Sequence, residues 1–223
     1  MQLSDLCRAL ESTLLTPVAL AGEVEALCRE AAEAGFHGVC VPPTRVRLAV
    51  EVLRDTAVRV ASVVGFPLGH QSTRAKVAEV AELVEAGAAE VDVVMNLGWF
   101  LDGRLRAVAR ELQEIRRASD GLVLKVILET GALSPAQVRE AAAIALGAGA
   151  DFLKTCTGYG PRGVTIRDVR LLRQVVGRRC GIKASGGVRT LDQAEGLLSA
   201  GADRLGTSSA GAIWAEACKR ASN

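Results

Sequence analysis

One phrase recurs through this chain wherever a helical stretch gives way to an apolar one. It reads EAGFHGVCV at 33–41, EAGAAEVDVVM at 85–95, GAGADFLKT at 147–155 and SAGADRLGT at 199–207. Each time an alanine- and leucine-rich segment stops at glycine, which closes a helix through its access to the left-handed region, and a strand-like run begins a few residues later. Strands entered from helices, again and again, confine the chain to alternating α/β structure with a parallel sheet. β-branched runs mark further strands at Val58–Val64, Leu122–Leu128 and Cys180–Ala184, with a short one near Thr13–Leu15, about eight in all. They are apolar over most of their length, as parallel strands covered on both faces must be. Ser134-Pro135, Thr190 to Gln193 and, less strictly, Thr165 to Asp168 carry helix-start signals. No linker or low-complexity tract interrupts the series, so residues 1–223 read as one (β/α)8 TIM barrel domain, with a doubly wound open sheet as the alternative.

Composition narrows the partners. With 49% hydrophobic residues and a net charge of +2, the chain can bury one substantial core and offers no basic stripe for nucleic acid. Asp5 and Arg8 leave the N-terminus without a signal-peptide core, and no uncharged run approaches the roughly 20 residues a membrane span needs. The six cysteines are scattered without a CxxC pair and only two histidines are present. That pattern suits the reduced thiols of a cytoplasmic protein and argues against a zinc site.

Five lysines stand against twenty-two arginines, and three of the five lie inside apolar runs: Lys125 in LVLKVILE, Lys154 in ADFLKTCTG and Lys183 in CGIKASGGV. Arginine stays protonated at any ordinary pH, whereas a desolvated lysine beside another cation can lose its proton and attack a carbonyl. Asp92 shares this region, so four ionisable side chains fall in consecutive strands, where a barrel carries its chemistry at the C-terminal ends. A buried ion network that merely holds the barrel together is the plainer reading. Three lysines against one aspartate weaken that reading, because the charge does not balance; an excess of positive charge lowers lysine pKa values.

Two turns suited to an anion follow. Lys183-Ala-Ser-Gly-Gly187 ends one strand in small residues, and Gly206-Thr-Ser-Ser209 ends the last, with a short helix over Ala210–Trp214 behind it. Backbone N–H groups at such turns bind phosphate, and barrels often hold one after the seventh and eighth strands. Either turn taken alone is as well explained by an ordinary tight turn.

Together, VDVVMN with Asp92, LKVILETG with Lys125, DFLKTCTG with Lys154 and GIKASGGVRT with Lys183 resemble the deoxyribose-phosphate aldolase family of class I aldolases. VCVPP at 39–43, GFPLG at 65–69 and the final GTSS fit the same pattern, in order, from about Thr13 to Ser209. The resemblance implies reversible cleavage of 2-deoxy-D-ribose 5-phosphate to D-glyceraldehyde 3-phosphate and acetaldehyde. It gives Lys154 the Schiff-base role, Lys183 that of the neighbouring cation and proton shuttle, and Asp92 that of the acid–base carboxylate. Gly186, Gly187, Ser208 and Ser209 would hold the phosphate, with Lys125 and Glu11 supporting the catalytic groups. It implies small phosphosugar and aldehyde partners, a homodimer or homotetramer, and no metal or organic cofactor. Another Schiff-base aldolase, or a barrel that binds phosphosugars without turnover, are the competing readings.

The chain also departs from the family. Its first strand reads Glu11-Ser-Thr-Leu-Leu-Thr16 where Asp-His-Thr-Leu-Leu-Lys is usual, Cys156 stands in place of a frequent serine, and Pro42 replaces a usual asparagine. Cys40, Cys156, His37 and His70 read as packing or surface residues. Tyr159 and Arg162, in the loop after the lysine strand, are placed to cover the sugar or add charge for the phosphate. Trp99 and Phe100 suit a packing contact or a subunit interface.

Overall fold

The computed structural model describes residues 2–222. Eight strands run in chain order around a closed barrel: β1 Leu10–Thr13, β2 Gly38–Val41, β3 Arg59–Val64, β4 Glu90–Val94, β5 Val123–Ile127, β6 Phe152–Lys154, β7 Gly181–Ser185 and β8 Arg204–Thr207. All neighbours are parallel, and β1 closes on β8 with Glu11 opposite Gly206, which excludes the open sheet. The first strand lies earlier than Thr13–Leu15, beginning at Leu10 directly after the helix Leu3–Ala9. The last helix is longer than the short one expected, spanning Ala210–Ala221.

The glycine joints behave as their composition requires. Gly35 and Gly87 end helices in the left-handed region, at φ of 67° and 89°. Ser134, Thr165 and Thr190 each cap a helix start, accepting from the third helical N–H while that residue's side chain reaches back to the cap. On the helix Leu105–Ala118, Val108, Leu112 and Ile115 form a fully buried stripe, worth about 2 kcal/mol per side chain.

The core has two layers. Between sheet and helices lies a continuous apolar shell that includes Val91, Val93, Leu124, Val126, Leu153 and Ile182. Inside the barrel the apolar cluster is small: Cys40, Ala61 and Val63, with Leu15 and Phe66 against it. Side chains alternate along a strand, so while Val91 and Val93 face the helices, Glu90 and Asp92 turn inward. Much of the barrel's interior is therefore charged. Outside it, Lys76 Nζ donates to Glu111 Oε1 at 2.7 Å and to the Val94 carbonyl at 2.9 Å, fixing two helices to the end of β4.

Candidate active site

Strands β1 and β4 to β7 bring six ionisable groups into one buried cluster. Lys154 Nζ donates to Asp92 Oδ2 at 2.8 Å and Lys183 Nζ to the same oxygen at 2.7 Å, which makes the two ammoniums neighbours. Lys125 Nζ donates to Asp92 Oδ1 at 2.9 Å, pairs closely with Glu90, and lies 3.5 Å from Glu11 Oε2. Lys183 Nζ also pairs closely with that Glu11 oxygen. Every one of these residues is buried.

Three carboxylates thus face three lysines, and the excess of positive charge expected from the sequence does not exist. Sequence reasoning missed Glu90 altogether. Its signal was its position two residues before Asp92 in a strand, and hence on the same face.

Burial alone would push these groups toward their neutral forms, but the pairing outweighs it. The Lys125, Lys154 and Lys183 ammoniums overcome the burial of Asp92 and hold its carboxyl well below the usual carboxylate range. Desolvation of Glu90 is overcome by His37 and Lys125, which bring its pKa down to about 2. Lys125 and Lys183 are likewise desolvated, yet Asp92 and Glu11, with Glu90 added for Lys125, raise both above the ordinary lysine range. His37, at the foot of β2, is therefore more than a surface residue: its Nε2 lies 2.9 Å from Glu90 Oε1. Glu11, His37 and Glu90 also bring ligand-type atoms within 4.8 Å of one another. Lys125 Nζ already engages both carboxylates of that trio, a cation standing where a metal ion would have to bind.

Above the cluster opens a cavity of about 280 Å³ lined by Lys154, Thr157, Tyr159, Gly186, Gly187, Arg189 and Ser208, among others. Gly186 and Gly187 both take positive φ, 94° and 83°, a conformation that residues with side chains resist. Gly206 must also lack a side chain, since a Cβ there would lie 2.9 Å from Lys183 Cε. Ser209 is not among the lining residues; its backbone N–H donates to Thr207 Oγ1 at 2.9 Å. Arg162 brings no free charge to the cavity, because its guanidinium forks onto Asp168 at 2.6 and 3.0 Å. Arg189, which sequence reasoning left out, is the arginine on the rim.

The loop after β6 is anchored from β5. Glu129 is the single non-glycine at positive φ among the described residues, 52°, a strained conformation that turns its buried carboxylate onto the Thr157 hydroxyl and N–H. Thr157 Oγ1 in turn accepts from the Tyr159 N–H at 3.0 Å. Tyr159 Oη then donates to the Leu15 carbonyl at 3.0 Å, and its ring meets Phe66 edge-on, 5.6 Å between centroids. Burial pushes the Cys40 and Cys156 thiols up, which suits packing roles. His70 is exposed, Phe100 is buried, and the Arg104 guanidinium lies over the Trp99 ring at 4.8 Å.

A closed (β/α)8 barrel with a cavity-facing lysine among buried carboxylates and a glycine cradle beside it is the framework of a barrel enzyme acting on carbonyl compounds. Residues 11–216 match the DeoC/LacD family aldolase description. The chain belongs to that family and is an aldolase, a carbon–carbon lyase. It is 46% identical over 209 residues to the deoxyribose-phosphate aldolase of Caldanaerobacter subterraneus subsp. tengcongensis, covering 92% of this chain and 90% of the relative. Among solved structures, the aldolase QR15 superposes with a TM-score of 0.94 at 41% identity over 97% of both chains. The deoxyribose phosphate aldolase of Aeropyrum pernix, described as a unique tetrameric structure, does so with a TM-score of 0.91 at 35% identity, over 98% of this chain and 92% of that one.

Proposed function

We propose that this aldolase reversibly cleaves 2-deoxy-D-ribose 5-phosphate to D-glyceraldehyde 3-phosphate and acetaldehyde through a Schiff base on Lys154. The observation that carries the reading is the inequality of the three buried amines. Lys125 and Lys183 each touch two or three carboxylates and are held in the ammonium form. Lys154 has one carboxylate partner, Asp92, and reaches the cavity. Lys183 stands beside it as a permanent cation, donating to the same Asp92 oxygen.

The Lys154 amine attacks the substrate carbonyl, and water leaves to give a protonated imine. The imine draws the electron pair of the breaking C2–C3 bond while the C3 hydroxyl gives up its proton. Asp92 and Lys183 are the groups within reach to move that proton. D-Glyceraldehyde 3-phosphate departs, the resulting enamine takes a proton at carbon, and hydrolysis releases acetaldehyde and Lys154. Gly186, Gly187 and Ser208 cradle the phosphate, with Ser209 heading the helix behind them and Arg189 supplying charge. Lys125 and Glu11 hold Asp92 and Lys183 in register.

A homodimer or homotetramer in a reducing cytoplasm fits this reading, the former tested by sedimentation. All six cysteines are free and no described helix is long and apolar enough to cross a membrane. Borohydride reduction in the presence of acetaldehyde, followed by peptide mapping, tests the mechanism. A two-carbon adduct on Lys154 is the expected result; an adduct spread over Lys76 and Lys219, or none, would overturn it. Lys154→Arg should lower turnover by at least about 10³-fold.

A further inference from the structure

Six carboxylates are buried among the described residues, and five of them meet a cation: Glu11, Glu90 and Asp92 inside the barrel, Glu111 on Lys76 and Asp168 on Arg162. Glu129, 4% exposed, is the exception. Its carboxylate accepts from the Thr157 N–H, at 3.2 and 3.4 Å to its two oxygens, and from the Thr157 hydroxyl. Burying a carboxylate without a cation is costly, and the backbone here is strained as well. Both costs fall on a residue that the proposed bond cleavage does not use, beside the cavity where that cleavage takes place.

What the carboxylate holds is a turn of the cavity wall. Thr157, Gly158 and Tyr159 line the same cavity as Lys154, Gly186, Gly187 and Ser208. Glu129 takes the hydroxyl proton of Thr157, whose oxygen accepts from the Tyr159 N–H at 3.0 Å, so side chain and backbone of the turn are fixed together. The turn lies against the glycine cradle. A Cβ at Gly186 would be 3.5 Å from the Gly158 nitrogen, and the Ser185 hydroxyl donates to the Cys156 carbonyl at 2.6 Å. Packing does little to hold it from outside: Tyr159 is 52% exposed and also lines a larger cavity at the barrel mouth, of about 490 Å³.

The surroundings have anchors of their own. Arg162 ties the far end of the loop to Asp168 and to the Thr130 carbonyl. Lys154 is held by its strand: its carbonyl accepts from the Leu128 N–H at 3.0 Å, and the next N–H donates to the Lys183 carbonyl at 3.1 Å.

We propose that Glu129 is a positioning residue for substrate binding, holding the Thr157–Tyr159 turn against the glycine cradle in the geometry that receives the phosphorylated substrate. The inference rests on the proposed cleavage reaction. Glu129 acts through Thr157 and touches no reacting atom, so its loss weakens binding and leaves the Lys154 amine in place.

Glu129→Gly removes the carboxylate and suits the positive φ, so the backbone strain leaves with it. It should raise KM for 2-deoxy-D-ribose 5-phosphate by at least about tenfold, the scale of one lost carboxylate hydrogen bond. Its kcat should change by less than about threefold, as when an interaction equal in ground and transition states is removed. Glu129→Gln keeps one acceptor for the Thr157 hydroxyl and should raise KM by about threefold; it carries the test alone if Glu129→Gly does not fold. Borohydride trapping of acetaldehyde on Lys154 should proceed at the wild-type rate in both variants, because acetaldehyde has no phosphate to place. A general loosening of the barrel would slow that trapping. An unchanged KM in a folded variant, or trapping slowed as much as kcat/KM falls, overturns the assignment. Cleavage of 2-deoxy-D-ribose 5-phosphate by the wild type separates the two readings. If it is absent, both fall; if it is present and KM does not move, only the positioning role falls.

Discussion

At the scale of single residues, the site is a problem of charge bookkeeping solved with side chains from distant strands. Removing one partner leaves the rest buried and uncompensated. Glu11→Ala should therefore cost about 3 kcal/mol in urea unfolding, a penalty for leaving Lys183 and Lys125 buried with one carboxylate fewer. Lys183→Leu should lower turnover by about 10²–10⁴-fold, read by steady-state kinetics, because the proposed mechanism loses the cation beside Lys154 and a proton carrier together. The lysines and Asp92 were legible in the sequence because charged residues inside apolar runs are rare and conspicuous. Glu11 was seen only through its place in the family pattern. Glu90 was not seen, since a glutamate at the start of a strand looks like a solvent-facing residue until the barrel closes over it. That single omission reversed the inferred charge balance.

At the scale of elements, helix ends were readable and strand ends less so. Glycine joints and Ser/Thr caps have local causes, and the structure has them where the residues stand. The limits of β1 have no local cause: Leu10 to Thr13 become a strand because β2 and β8 are there to pair with them. The cradle after β7 is more constrained than its small residues suggest. At Gly186 a Cβ would lie 2.8 Å from the Cys156 Cβ, at a φ that side chains resist. Gly186→Ala should raise KM for the phosphorylated substrate by about tenfold, the equivalent of about 1.4 kcal/mol of strain, with a smaller change in kcat. An equal fall in kcat would mean that the turn also positions Lys154.

At the scale of the whole molecule, the cluster makes stability depend on acid. The Glu90 pKa is lowered from an ordinary 4.5 to about 2 in the folded chain, and Asp92 lies below its own ordinary value as well. A depressed carboxyl stabilises the fold above its unfolded pKa and loses that contribution as pH falls through the folded one. Denaturant midpoints should therefore hold steady above about pH 5 and decline from there toward pH 2, with Glu90→Gln flattening part of the decline. The barrel class was legible because parallel strands buried on both faces leave a distinctive apolar signature. The two cavities at the mouth were not, because they are made by loops from opposite ends of the chain. The same circular closure bears on how the protein is born. Glu11 meets Lys183 across 172 residues of sequence. A chain emerging from the ribosome carries Glu11 for most of its synthesis before Lys183 exists. No truncated product that stops short of β7 can hold a completed site, so the unfinished polypeptide is chemically silent, and assembly of the catalyst coincides with the last strands locking into place.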